Sequence, residues 1–224
     1  MFVDLSIIIT CFNKEEYLND CFESIRRQTR QPKEIILVHD GCSEPQAHID
    51  AETIILKDNV GVSKARAKGV FNSTGKLLLF VDGDDVLSPD YIEKMVATIF
   101  DGADITYPDT YFWGKDPRLT ITPDKLTSEF VSNYEKVVIV VSSMMKREVY
   151  EKLGGFGEFP VLEDLDFFLR ALCNDYTFKK SQTLLWYRQT PTSRNQMSYL
   201  KKKEVFKKIL SKFNISKDKI TLNE

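Results

Sequence analysis

Leu77 to Val81 are five large apolar residues in a row, and the next four, Asp82-Gly83-Asp84-Asp85, carry three carboxylates. An unbroken apolar run bounded by polar residues predicts a strand covered on both faces, as in the middle of a parallel sheet. The acids then fall at its carboxyl end, the edge where open α/β sheets bind ligands. In extended backbone Asp82 and Asp84 project to the same side and repel each other, so the pattern asks for a positive charge between them. A hard divalent cation, Mg²⁺ or Mn²⁺, suits a set of oxygen ligands. The bland alternative is a solvated turn whose acids favour a helix dipole. An EF-hand loop through Asp82, Asp84 and Glu93 is excluded, because Leu87 stands where the sharp turn needs Gly and Pro89 starts a helix inside the loop.

The chain leading to this stretch alternates strand and helix. Residues 6–10 (SIIIT) and 34–38 (EIILV) read as strands, and 54–56 as a weaker third. Apolar Tyr17, Leu18, Cys21, Phe22 and Ile25 fit a helix between the first two, and 62–71 a helix after the third. Ser88-Pro89 predicts a cap and first turn for a helix over 89–100. This rhythm indicates βαβ units with a parallel sheet. Beyond Gly102 it changes: strands are expected at 105–113 and 137–145, a short helix near 126–133, helices over 146–153 and 163–173, and a strand ending at 186–188.

Composition narrows the classes. The 224 residues, 42% hydrophobic, suffice for one globular core, and no apolar run approaches a membrane span. With no signal-peptide pattern at its start, the chain is expected to be cytoplasmic. Cys11, Cys21, Cys42 and Cys173 show no CxxC spacing, which favours free thiols over a disulfide or zinc site. The net charge of -2 hides an asymmetry: from Arg194 onward nine Lys+Arg face three Asp+Glu, against 22 and 30 before it. A basic amphipathic helix over 196–213 is compatible with an anionic membrane surface or a nucleic acid, but also with simple packing on the domain.

Five segments together resemble the family 2 glycosyltransferases, inverting enzymes with a GT-A fold. They are SIIITCFNKEEYLNDCFESIRRQT, EIILVHDGCSE, NVGVSKARAKG, FVDGDDVLSPDYI and KREVYEKLGGFGEFPVLEDLDFFLR, in the family's order. The resemblance implies an α/β GT-A fold with a Rossmann-like, mostly parallel sheet and a small acceptor-side subregion. Residues 1–101 would be the nucleotide-sugar half, 102–195 the acceptor half and 196–224 a tail. Thr10, Phe12 and Asp40 would line the base pocket, with Asp40 accepting the imide N–H of a uracil-like base. Asp82 would bind the ribose, Asp84 a Mn²⁺ or Mg²⁺ ion, and Arg66 would face the nucleotide. The resemblance implies a nucleotide-diphosphate sugar as donor, with UDP as the expected nucleotide, and a glycan, a lipid-linked glycan or another hydroxyl as acceptor.

Asp164 is the implied general base, set on the helical wheel at the rim of the Leu165, Phe168, Leu169, Leu172 face, with Glu163 nearer the opposite side. Three positions depart from the family: His39 replaces the first Asp of D-D-G-S, Ala67 an Asn, and Thr190 a histidine that often helps hold the metal or diphosphate. The Q-x-x-R-W signature of processive synthases is absent, which favours transfer of single sugars. Two rivals remain. One is a noncatalytic nucleotide-sugar-binding module. The other is a haloacid-dehalogenase-type phosphatase with Asp82 as nucleophile, although that fold carries its acids on the first strand and a later G-D-x-x-x-D pair is missing here.

Overall fold

The computed structural model describes residues 2–126, 139–190 and 199–213. Its first half runs β1 (Phe2–Cys11), α1 (Glu15–Arg26), β2 (Gln31–Asp40), β3 (Glu52–Leu56), α2 (Val62–Phe71), β4 (Leu77–Asp82), β5 (Val86–Leu87) and α3 (Tyr91–Phe100). The second half adds β6 (Ile105–Gly114), β7 (Arg118–Thr120), β8 (Met144–Lys146), α4 (Arg147–Lys152), α5 (Glu163–Cys173), β9 (Phe178–Gln189) and α6 (Tyr199–Ser211). Among the described residues one sheet forms, in the order β3-β2-β1-β4-β8-β6-β9-β5, with β7 on β6. The strands β3, β2, β1 and β4 are parallel. From β4 onward the sheet is mixed: β8 pairs antiparallel with both β4 and β6, whereas β6 and β9 are parallel.

Alternation sorts the central strands between two cores. Ile7, Ile9, Leu77, Leu79 and Val81 share one core with Leu18, Phe22 and Ile25 of α1 and with Ile92, Met95 and Val96 of α3. Ile8, Leu78 and Phe80 face the other, with Ala65 and Val70 of α2 and Leu165, Phe168 and Leu169 of α5. Each such side chain contributes roughly 1.5–3 kcal/mol by burial. Both faces of β1 and β4 are therefore anchored, and their carboxyl ends, Cys11 and Asp82, are held in fixed register, with Thr10 opposite Asp82.

Several boundaries differ from expectation. Helix α3 starts at Tyr91, because the Ser88 hydroxyl bonds the Asp90 and Thr183 side chains instead of capping a turn at Pro89. The strand expected over 137–145 is Met144–Lys146, with 137 and 138 outside the described residues. The helix expected near 126–133 lies outside them too, apart from Leu126. On α6 the apolar residues Phe206, Ile209 and Leu210 are buried in the core that contains Phe167 and Phe168. That face is spent on the domain, which leaves the membrane or nucleic-acid reading only the helix's lysines. No helix among the described residues is long and apolar enough to cross a membrane.

Candidate functional site

Strand β4 ends at Asp82, and the chain turns at once: Asp85 N–H donates to the Asp82 carbonyl (2.9 Å) and Gly83 N–H to that of Thr10 (2.9 Å). The extended geometry assumed for Asp82 and Asp84 therefore stops one residue too early, and each acid of the turn meets its own partner. Asp82 Oδ1 pairs with Arg66 Nη2 at 2.9 Å and accepts from Thr10 Oγ1 at 3.3 Å. Asp84 Oδ2 pairs with Lys14 Nζ at 2.5 Å. Asp85, buried, accepts the backbone N–H of Arg188 at 3.0 Å, which ties the turn to β9. Burial, and next the Asp82 charge, push the Asp84 carboxyl above its ordinary value while Lys14 opposes the shift. Burial drives Asp85 well upward, reinforced by Asp84 and Asp82. Burial first and the neighbouring acids second thus push both carboxyls upward, and Lys14 and Arg66 offset the charge at Asp84 and Asp82.

Arg66 is the deepest of these cations, with its side chain only 1% exposed. Its Nη1 pairs with Glu163 Oε1 at 2.7 Å, and its guanidinium lies 5.2 Å from the Phe156 ring centre. Burial opposes its charge, but Asp82 and then Glu163 outweigh that and hold the guanidinium firmly protonated. Arg66 therefore sits beneath Asp82 as a brace, buried between two carboxylates. Glu163 is a correction: the wheel put it nearer the side opposite the core, yet it is buried at the start of α5. Asp164 is half-buried beside it, with Oδ1 accepting the Leu165 N–H at 2.8 Å. The helix begins after Leu162, whose φ of 63° is left-handed. For a non-glycine residue that conformation costs about 1–2 kcal/mol. Such strain persists where the surroundings fix it, here the Glu163–Arg66 pair. Three acids in the first turn of α5 also suit the helix dipole.

Lys14 was not singled out by the sequence. It precedes α1 and reaches both Asp84 Oδ2 and Thr190 Oγ1. A cation at a helix amino terminus opposes the dipole, and that was the available signal that Lys14 answers to something else. Its ammonium marks a cation position between a carboxylate and a hydroxyl oxygen. That donor set fits a hard divalent ion, which would have to displace the ammonium.

The expected base pocket is partly committed to structure. Asp40 is buried, and its two carboxylate oxygens accept the N–H groups of Val60 (2.7 Å) and Gly61 (3.1 Å), so it shapes the loop before α2. A carboxylate offers about four lone-pair sites, which leaves acceptor capacity on Asp40. Thr10 is buried and turned toward Asp82, while Phe12 stands 46% exposed.

The model of the family described as Glycosyl transferase family 2 matches residues 6–154. The chain belongs to this family. The match runs from β1 to Gly154 and includes Asp40, Arg66, Asp82 and Asp84, whereas Glu163, Asp164 and Thr190 lie beyond it. An uncharacterized glycosyltransferase of Bacillus subtilis, YwdF, is 31% identical over 192 residues, 79% of this chain and 70% of that one. The uncharacterized glycosyltransferase MJ1057 of Methanocaldococcus jannaschii is 26% identical over 220 residues, covering 90% and 76%. A Bacillus subtilis relative named EpsH is 34% identical over 109 residues, and there the match spans only 32% of the relative's length. Among solved structures, TarS 1–349 of S. aureus in complex with UDP-GlcNAc superposes with a TM-score of 0.75 at 16% identity, covering 95% of this chain and 67% of that one. That likeness establishes a GT-A fold here. Family membership and fold together remove the phosphatase alternative.

Proposed function

We propose that this glycosyltransferase domain moves a single sugar from a nucleotide-diphosphate sugar, with UDP as the nucleotide, to an acceptor hydroxyl with inversion at the anomeric carbon. The observation that carries the reading is the Asp82–Arg66–Glu163 chain, which ties the acids at the end of β4 to the helix that bears Asp164. The UDP and UDP-GlcNAc complexes of the TarS relative support the choice of donor.

Asp82, pre-oriented by Arg66 and Thr10, would accept a ribose hydroxyl, and Phe12 would cover the base while Asp40 accepts its imide N–H. Asp84 and Thr190 would hold a Mn²⁺ or Mg²⁺ ion in place of the Lys14 ammonium. When bound, such an ion supplies positive charge to a leaving diphosphate. Asp164 would take the proton of the acceptor hydroxyl as its oxygen attacks, which inverts the centre in one displacement. In support, Asp164 is half-buried in the first turn of α5, next to the buried Glu163.

The test is a panel of nucleotide sugars assayed for Mn²⁺-dependent hydrolysis and transfer, repeated with the best donor on two variants. Asp84→Ala is expected to abolish metal-dependent UDP binding and to lower turnover by about 10²–10³. Asp164→Asn is expected to keep UDP affinity and to lower transfer by about 10²–10⁴. Unchanged transfer in Asp164→Asn removes its role as base. UDP and Mn²⁺ binding with neither transfer nor hydrolysis for any donor would instead make this a noncatalytic binding module.

A further inference from the structure

A separate group of side chains with metal-ligand chemistry gathers where β1 and β2 end and α1 begins. Cys11 is the last residue of β1 and pairs in register with His39, the residue before Asp40. Gly41 turns the chain with a φ of 73°, and a Cβ there would lie 2.3 Å from the Asn59 nitrogen, so this turn admits only glycine. The turn brings Cys42 back over Cys11, whose carbonyl accepts from Cys42 Sγ at 3.2 Å. Glu15, the first residue of α1, closes the group. One ligand atom from each of Cys11, Glu15, His39 and Cys42 lies within 4.8 Å of all the others.

Two details point to a ligand in addition to this proximity. His39 Nε2 lies 2.9 Å from the Gln46 carbonyl. A carbonyl only accepts, so Nε2 carries the hydrogen and the lone pair of the neutral ring is on Nδ1, which faces Cys42 Sγ at 3.2 Å. A histidine oriented by N–H donation to a carbonyl, with its other nitrogen aimed at a thiol, is the outer-shell arrangement of a metal ligand. Secondly, Glu15 Oε1 is shielded from solvent and has no hydrogen-bond partner. An unsatisfied buried carboxylate oxygen is costly unless a cation completes it.

We propose that Cys11, Cys42, His39 Nδ1 and Glu15 form a tetrahedral site for Zn²⁺, separate from the ion expected at Asp84. Two sulfurs, an imidazole nitrogen and one oxygen select zinc over Mg²⁺ or Mn²⁺. Binding replaces the two thiol protons, which leave to solvent, and gives a site of net charge -1 with neutral imidazole. Four protein ligands leave no open position, so the ion is structural: it pins the segment that carries Phe12 and Lys14 to the end of β2 that carries Asp40. Cys11 and His39 are fully buried while Glu15 and Cys42 are only partly so, which leaves a path for entry from their side. The scattered spacing of these four residues concealed the group in the sequence, where free thiols were expected.

The test uses the whole chain, purified with reductant, stripped by chelator and incubated with Zn²⁺ or Co²⁺. One metal per chain by elemental analysis is expected, with the Co²⁺ form showing tetrahedral d–d bands and thiolate charge transfer. Asp84→Ala should keep this metal and spectrum, and Cys42→Ser should lose the charge transfer from one sulfur and bind more weakly. If the reduced wild type takes up no Zn²⁺, or if Cys42→Ser keeps the wild-type spectrum, the proposal is wrong. A Cys11–Cys42 disulfide that gives no metal site after reduction would overturn it equally. None of these readouts depends on glycosyl transfer.

Discussion

Asp82 and Asp84 are two residues apart and both carry a cation, but the two cations belong to different parts of the molecule. Arg66 comes from the buried side of α2, is 1% exposed, and has a second carboxylate partner in Glu163. Lys14 comes from the loop before α1, at 13% exposure, and holds Asp84 together with a neutral hydroxyl. A guanidinium fixed by two carboxylates in a dry setting cannot leave without stranding both. An ammonium on a flexible stem can be exchanged for another cation. The floor of the site is thus framework, and its rim is a cation position open to exchange.

The largest effect expected from this contrast is at the floor. Arg66→Met strands Glu163 and Asp82, and should lower unfolding free energy by about 3–5 kcal/mol in denaturant titrations. A loss below about 1 kcal/mol would mean that Arg66 is no brace. At the rim, Lys14→Met strands one carboxylate instead of two, and Asp84, whose carboxyl burial already pushes upward, can take up a proton, so the loss should be smaller than for Arg66→Met. The same change should tighten Mn²⁺ binding by at least about fivefold in calorimetry without nucleotide, because the competing ammonium is gone. Weaker Mn²⁺ binding would place the ion elsewhere. Smallest is Thr190→Val, which removes a neutral oxygen and should weaken Mn²⁺ by less than about tenfold, far short of the loss in Asp84→Ala.

Much of the frame was readable from pattern. Apolar runs and their spacing located β1, β2, β4 and α5, because burial on two faces or one helical stripe leaves a periodic trace. The carboxyl-end position of Asp82 followed from the same run. The pairings did not follow, for identifiable reasons. Arg66 and Glu163 are 97 residues apart, and a helical wheel shows which residues share a face of one helix but not which charge on another element a side chain will meet. The extended geometry expected of the Asp82 and Asp84 pair failed because the strand rule was carried past a turn that Gly83 begins. Lys14 resembles any lysine near a helix start until Asp84 is seen beside it. Cys11, Glu15, His39 and Cys42 come together only because β1 and β2 are register neighbours.

The central claim is that Arg66 makes the end of β4 and the start of α5 one unit. A double-mutant cycle with Asp82→Asn and Glu163→Gln, read in UDP affinity with Mn²⁺ present, tests it directly. Residues sharing one network couple by about 0.5–3 kcal/mol. The account predicts a coupling in that range, with Glu163→Gln weakening UDP although it lies beneath the site. Additive effects, or a Glu163→Gln variant with wild-type UDP affinity, would contradict it.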